Sequence, residues 1–388
     1  MSTAPTVVDA LALASAVVDD LVVATARDTH QAIARRTHGL VRRGVGPAAL
    51  PAEVLHRGIA ATVYGAVGLG FRGASRGLSR LPAGLGPELE AGPRGRFVNA
   101  AVNGLIGEEI RRDRPRLAIE MGVRRDGRDV PLTPAGVSRA FPEATGRIVV
   151  FLHGLCENEA YWNRHRDRVG STYGESLAGR GWTPVYLRAN TGLPLRENGV
   201  VLASLLQRLV DAWPTEVTRI ALVGHSLGGL ILRASSAVVA EGQGPAAWTR
   251  LVSDVVTLGT PHLGSWFAVG ADHASRTLAR APEVAAFGRI IDRQAPGIHD
   301  LIEGLAQDVP PLPHARYHLV SATLTRSARH PLAQAVGDLL VTPRSAVGRD
   351  RRGTDLFPGA DVLHLGRTDH FGLLNHPEVH TALARWLA

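Results

Sequence analysis

The sequence predicts an α/β fold: a doubly wound, mostly parallel sheet with a helical N-terminal extension and a helical cap insertion. Three observations carry that expectation. Short apolar runs of strand length alternate with longer segments of helical period through the last two-thirds of the chain, which is the pattern of repeated βαβ units. The runs Arg147–Leu152 (RIVVFL) and Arg219–Gly224 (RIALVG) are almost wholly apolar, as strands covered on both faces must be. Finally, Gly224-His225-Ser226-Leu227-Gly228 stands where one of these strands gives way to a helix, a place where a doubly wound sheet presents reactive groups.

Residues 1 to 113 read as helical. Val7, Val8, Leu11, Ser15, Val18, Leu21 and Val22 recur near helical spacing. The segment Val54–Leu81 is apolar and rich in glycine, with Arg72, Arg76 and Arg80 four residues apart. Helices packed closely through glycines are one reading of it; contact with a lipid surface is the other. Its uncharged stretch, Gly58 to Phe71, is too short to cross a bilayer. Prolines and glycines between Leu81 and Gly95 mark a linker. The second domain is expected over residues 114–388. Leu117, Ile119, Met121 and Val123 alternate as in a strand, Asp126-Gly127 supplies a tight turn, and Asp129–Leu132 returns as a second strand. After the strand at 147–152, strands are expected at Thr183–Leu187, Arg219–Gly224, Val252–Leu258, Tyr317–Ala322 and Val362–Leu365. Helices are expected at Gly199–Trp213, Leu227–Ala240 and Pro377–Leu387. In the first of these helices Val200, Leu202, Leu205, Leu206 and Leu209 are the candidate packing residues. Residues 262–313 interrupt the alternation. Their Leu278, Phe287, Ile290, Ile298 and Leu301 could line an acyl pocket or form a lid.

Composition narrows the class of partner. The 388 residues are 45% hydrophobic and 20% charged, enough for a sizeable core. The formal charge is +8, but all 43 basic residues are Arg and are spread along the chain. No nucleic-acid footprint is expected from such a distribution. Cys156, the single cysteine, excludes an internal disulfide framework and a Cys-rich metal site. The opening residues lack a basic start, and Asp9, Asp19 and Asp20 interrupt their apolar stretch. A secretory signal is therefore not expected, and the expected location is cytoplasmic, peripheral to a membrane if the N-terminal helices touch lipid.

The chemistry centres on Ser226. In G-x-S-x-G between strand and helix, the serine occupies a strained turn that exposes its hydroxyl, and side chains at 224 and 228 would collide with backbone. Together, VVFLHGLCEN, LVGHSLGG, VVTLGTPHLGS, GDLLVTPRSA and TDHFGLLNHPEV resemble the lipases and carboxylesterases of the α/β-hydrolase superfamily. The likeness is strongest to the bacterial lipase-like and GPI-inositol-deacylase-related branch, and it covers residues 115 to 388. The resemblance implies a nucleophile, acid and base in that chain order. Ser226 matches the nucleophile and His370, between the last strand and the last helix, the base.

Asp338, in the stretch G-D-x-L-V, matches the acid, with Asp361 and Asp369 as competitors. Asp361 opens a strand at the wrong end, and Asp369 adjoins the base too closely to be turned onto it. Leu227 and Leu155 are expected to supply the backbone donors of an oxyanion hole. His262 reads as a supporting residue, His364 as structural, and His376 and His380 as solvated. Cys156 reads as a partly buried thiol. Glu157-Asn158 and Asn190-Thr191-Gly192 read as ordinary turn chemistry. The expected activity is hydrolysis of a small-molecule or lipid ester through an acyl-enzyme, without metal or organic cofactor. Acyl transfer on the same intermediate and a non-catalytic binding role are the alternatives.

Overall fold

The computed structural model describes residues 5–17, 69, 73, 76–77, 88–238, 247–264, 309–330, 333–334, 337–350, 353 and 355–388. The chain divides into two compact units, Met1–Val102 with Gly270–Gln294, and Asn103–Val269 with Ala295–Ala388. The expected cap at 262–313 and the segment Val54–Leu81 lie almost wholly outside the described residues. In the first unit, α1 spans Val7–Val17, and Thr6 bridges to Glu88 at the start of a single turn, Leu89–Ala91. A helix over Pro93–Asp113, α2, leads into the second unit and breaks from helical geometry at Ile106.

The second unit is built on a sheet of eight strands: β1 Gly122–Arg125, β2 Arg128–Asp129, β3 Arg147–Leu152, β4 Thr183–Arg188, β5 Arg219–His225, β6 Val252–Leu258, β7 Arg316–Thr323 and β8 Asp361–Gly366. Their order is β2-β1-β4-β3-β5-β6-β7-β8. Only the pairings of β1, with β2 and with β4, are antiparallel; every other neighbour is parallel. Among the described residues, the helices that follow α2 are α3 Pro134–Ala140, α4 Arg166–Val169, α5 Tyr173–Ala178, α6 Leu195–Asp211, α7 Leu227–Ser236, α8 Pro343–Ala346 and α9 Pro377–Trp386.

Alternation along each strand sorts the core into two layers. Ile148, Val150, Leu152, Val185, Leu187, Ile220, Leu222 and Leu319 point to one face, where Leu202, Leu206 and Leu209 of α6 and Leu230 and Ile231 of α7 cover them. Val149, Phe151, Ala221, Val223, Val256, Val320 and Leu365 point to the other, beneath Tyr173 and Leu177 of α5 and Val379, Leu383 and Trp386 of α9. Each fully buried Leu or Val contributes about 1.5–3 kcal/mol. The continuous apolar character of β3 and β5 is thus the signature of two covered faces. No helix of the described residues is long and apolar enough to cross a membrane.

Several elements depart from expectation for identifiable reasons. The strand anticipated over Leu117–Val123 starts only at Gly122, because Asn103 occupies the backbone before it. The Asn103 amide donates to Leu117 C=O at 2.9 Å, and its oxygen accepts from Ile119 N–H at 2.9 Å. The return strand stops at Asp129, and after Val130 N–H reaches Val123 C=O at 2.8 Å, Pro131 has no N–H to continue the ladder. The hairpin turn is as anticipated, with φ of 50° at Asp126 and 73° at Gly127. The α6 helix starts at Leu195, four residues earlier than expected, and Val200 is 55% exposed instead of packing. The helix after Ser226 ends at Ser236, where the hydroxyls of Ser235 and Ser236 bond back to Leu232 and Arg233 C=O at 2.8 and 2.7 Å, competing with further helical bonds.

At the amino ends of the strands a polar cluster forms around the buried Asp254 and His318. Opposite Ile220 and Ala221, β6 carries one extra residue, placing Ser253 and Asp254 side by side. Asp254 accepts from His318 Nε2 at 3.0 Å, Arg219 at 2.8 Å and the Ser253 hydroxyl at 2.6 Å. The other nitrogen of His318 meets Asp361 at 3.0 Å, and its ring stacks on Trp386. Burial pushes the Asp254 carboxyl up, but the bonds from His318, Ser253 and Arg219 outweigh it and hold the group below the usual range. A depressed folded pKa contributes stability above the ordinary carboxylate pKa and loses it as pH falls through the folded value. Asp254→Asn should therefore cost about 3 kcal/mol at pH 7 in urea unfolding. That difference should shrink as the pH is lowered below about 4.

Candidate active site

The junction of β5 and α7 puts Ser226 in a conformation few side chains adopt. Its φ is 52° and ψ −125°, a strained combination of the kind that persists only where surroundings enforce it. The surroundings are backbone. A β-carbon on Gly224 would lie 2.6 Å from the Gly229 N and Cα, and one on Gly228 would lie 2.4 Å from the Leu152 and His153 carbonyl oxygens. Both glycines are therefore required by contact, as the motif predicted. Ser226 N–H donates to Leu258 C=O at 2.9 Å, and its own C=O accepts from the Thr260 hydroxyl at 3.0 Å. The serine is 6% exposed.

His370 and Asp338 come together from loops 32 residues apart, with His370 Nδ1 and Asp338 Oδ2 at 2.8 Å. The His370 N–H also donates to Asp338 C=O at 3.0 Å. The loop carrying Asp338 folds back on β7 through Leu324 N–H to Gly337 C=O at 3.1 Å. Gly337 permits this at φ 61°, where a β-carbon would strike Val341 O. Asp338 Oδ1 then accepts from Leu340 and Val341 N–H at 3.0 and 2.8 Å. Its carboxylate is therefore held at both oxygens. The competitors lie elsewhere: Asp361 is on His318, and Asp369 caps Gly372 N–H at 2.7 Å.

With Nδ1 donating to Asp338, the neutral imidazole of His370 has its lone pair on Nε2. That nitrogen is buried and has no hydrogen-bond partner among the described residues, Ser226 included. Ser226 and His370 nonetheless share one stretch of backbone. Leu258 accepts from Ser226 N–H, and the next residue, Gly259 at φ 58°, would put a β-carbon 3.2 Å from the His370 ring. Loose contacts of this sort between nucleophile and base are common before substrate binds.

The turn after β3 faces the serine. A β-carbon on Gly154 would lie 3.0 Å from Ser226 Cβ. His153 holds the turn: its Nε2 accepts from Ala189 N–H at 3.1 Å, so its Nδ1 carries the proton shared with Gly154 O at 2.9 Å. Burial depresses its pKa, in keeping with a neutral ring. Cys156, at φ 61°, donates its N–H to Thr191 Oγ1 at 3.1 Å. Its thiol is pushed up to about 12 by burial, which leaves no thiolate to act as a nucleophile at neutral pH. The N–H groups of Leu155 and Leu227 donate to no other described residue. Leu227 is the first residue of α7, where the helix itself cannot use that donor.

Other readings are sharpened or corrected. His262 is buried beside Phe357, with Nε2 at 3.2 Å from Thr257 Oγ1, and burial with the nearby Arg233 charge keeps it neutral. His364 bonds Ser321 and Thr323 within the sheet. His376 and His380 are partly buried: one caps α9 at Glu378 N–H, and the other bonds Ser176 and packs on Tyr173. Asn190 forms a turn with Gly192 N–H at 3.2 Å and also donates to Asn103 at 2.9 Å. Asn158 caps Ala160, as turn chemistry predicts. Glu157 does not fit that reading. Its Oε2 accepts from Gly154 N–H at 2.7 Å and meets His225 Nδ1 at 3.0 Å. The motif reading passed over His225 as a variable position. An acidic residue three beyond the His-Gly turn was the available signal.

A mostly parallel sheet in this order, with a strained serine between β5 and α7, defines the α/β-hydrolase fold. Residues 142–274 match the family model described as "Putative serine esterase (DUF676)". A curated triacylglycerol lipase from Burkholderia plantarii is 31% identical over 148 residues, 37% of this chain. The match spans 37% of that lipase's own length. Among solved structures, the mature Bacillus licheniformis lipase BlEst2 aligns at 18% identity and a TM-score of 0.44, over 69% of this chain and 97% of its own. The Bacillus subtilis carboxylesterase CesB aligns at 13% identity and a TM-score of 0.37, over 63% and 84%.

The contact at Gly228 yields a direct expectation. Gly228→Ala forces a methyl group against two carbonyl oxygens and should destabilise the protein by about 1–3 kcal/mol in urea unfolding. An unchanged midpoint would rule out the tight elbow.

Proposed function

We propose that the chain is a carboxylic ester hydrolase working through an acyl-enzyme on Ser226. The observation that carries this reading is His370, whose Nδ1 is committed to Asp338 and whose Nε2, beside the elbow, has no other described partner. A neutral imidazole so oriented can take the hydroxyl proton of Ser226 as it attacks an acyl carbonyl, and return it to the departing alcohol. Asp338 keeps the ring in that tautomer and stabilises the imidazolium. Leu155 and Leu227 N–H are the donors for the oxyanion, the second reinforced by the N-terminus of α7. Water then attacks the acyl-enzyme by the same proton route in reverse.

The family match over residues 142–274 supports ester chemistry, and the likeness to a triacylglycerol lipase supports acyl esters as the substrate class. The domain division at residue 113 and lipid-surface contact through the N-terminal helices belong to the same reading.

p-Nitrophenyl esters with acyl chains of about two to sixteen carbons test the proposal, since acyl-chain selectivity follows from the pocket's shape. Ser226→Ala should abolish turnover and labelling by a fluorophosphonate; full activity in that variant would sink the mechanism. Asp338→Asn should retain labelling at a much reduced rate and lower kcat by about 10⁴-fold, the scale seen when a triad imidazole loses its orienting carboxylate.

A further inference from the structure

Behind the elbow lies a buried ion pair that the proposed proton route does not use. Glu157 is 3% exposed and His225 is fully buried. One carboxylate oxygen of Glu157 accepts both Gly154 N–H and the proton on His225 Nδ1, at 2.7 and 3.0 Å. His225 Nε2 lies 3.2 Å from the carbonyl oxygen of His370. Both ring nitrogens of His225 thus face acceptors, an arrangement satisfied only when both carry protons.

Resting on the hydrolase reading above, we infer that Glu157 and His225 form a positioning pair that ties the oxyanion turn to the loop carrying the base. The ends of the chain of bonds support this. Gly154 N–H precedes the Leu155 N–H by one residue, the bonded carbonyl belongs to His370 itself, and His225 is the residue before Ser226. One pair therefore touches all three segments whose relative placement sets the reaction geometry. A shift of about 1 Å among such segments can cost about 100-fold in rate.

The charges agree with the bonding. Burial alone pushes the His225 ring down, but the Glu157 charge and bond, with the His370 carbonyl, hold it above the usual range. Burial likewise pushes Glu157 up, and His225 and Gly154 N–H bring it below its usual range. The groups facing His225 are Glu157, the His370 ring at 4.8 Å and the Phe371 ring at 6.2 Å, with the Asp338 charge beyond. The Glu157 carboxylate balances the charge of the His225 ring.

Glu157→Gln keeps the shape and removes the charge. With p-nitrophenyl butyrate, the full chain carrying it should lose about 100-fold in kcat with KM changed less than about twofold, since what is lost is geometry at the transition state. The imidazole ¹⁵N spectrum of the wild type should show both His225 nitrogens protonated at pH 7, and one bare nitrogen in the variant. Unchanged kcat in Glu157→Gln, a loss confined to KM, or a bare His225 nitrogen in the wild type would each overturn the pairing role. Wild-type protein with no turnover dependent on Ser226 would instead overturn the hydrolase reading. Should the variant fail to fold, the wild-type spectrum still decides the protonation on which the pair depends.

Discussion

The approach of Gly228 to the carbonyl oxygens of Leu152 and His153 is the contact around which the site is arranged. It lets the first turn of α7 lie directly on the end of β3, so that the turn after His153 and the turn at Ser226 face each other. A methyl group at that point would open the gap between two backbone segments. The strain at Ser226 persists because glycine contacts on both sides leave it no relaxed alternative. From this one approach follow the strained turn at Ser226, the unused Leu227 N–H at the helix start and the placement of Leu155.

Hydrogen bonding then separates the histidines into two kinds. Among the described residues three of them bond a carboxylate. His318 spends both nitrogens on Asp254 and Asp361, and His225 spends both on Glu157 and the His370 carbonyl. His370 spends one on Asp338 and leaves Nε2 without a described partner. An imidazole bonded at both nitrogens is a fixture held in place by its neighbours. One bonded at a single nitrogen keeps a basic lone pair for a proton in transit. The same side-chain chemistry thus ties down the amino ends of the strands and, at their carboxyl ends, leaves one imidazole nitrogen without a described partner.

The two ends of the sheet also differ in what their carboxylates do. Asp254 gathers three donors and is a stability device. Asp338 takes two backbone donors on one oxygen, which fixes the plane of the carboxylate, and offers the other to His370. Glu157 stands between these cases, bonding a backbone N–H and an imidazole through a single oxygen.

The strands β3 to β8 and the elbow with its two glycines were legible in the sequence alone. Those features depend on periodicity and on contacts between near neighbours, which residue type encodes directly. Tertiary structure decided what depends on the chain returning to itself. It cut short the strand before Gly122 because Asn103 reaches Ile119. It also turned Val200 to solvent and brought Asp338 onto His370 across 32 residues. Glu157 looked like one turn residue among several, and its partner His225 lies 68 residues away. A spacing of that length leaves no periodic trace, so only the closed fold could show that the two share a proton behind Ser226.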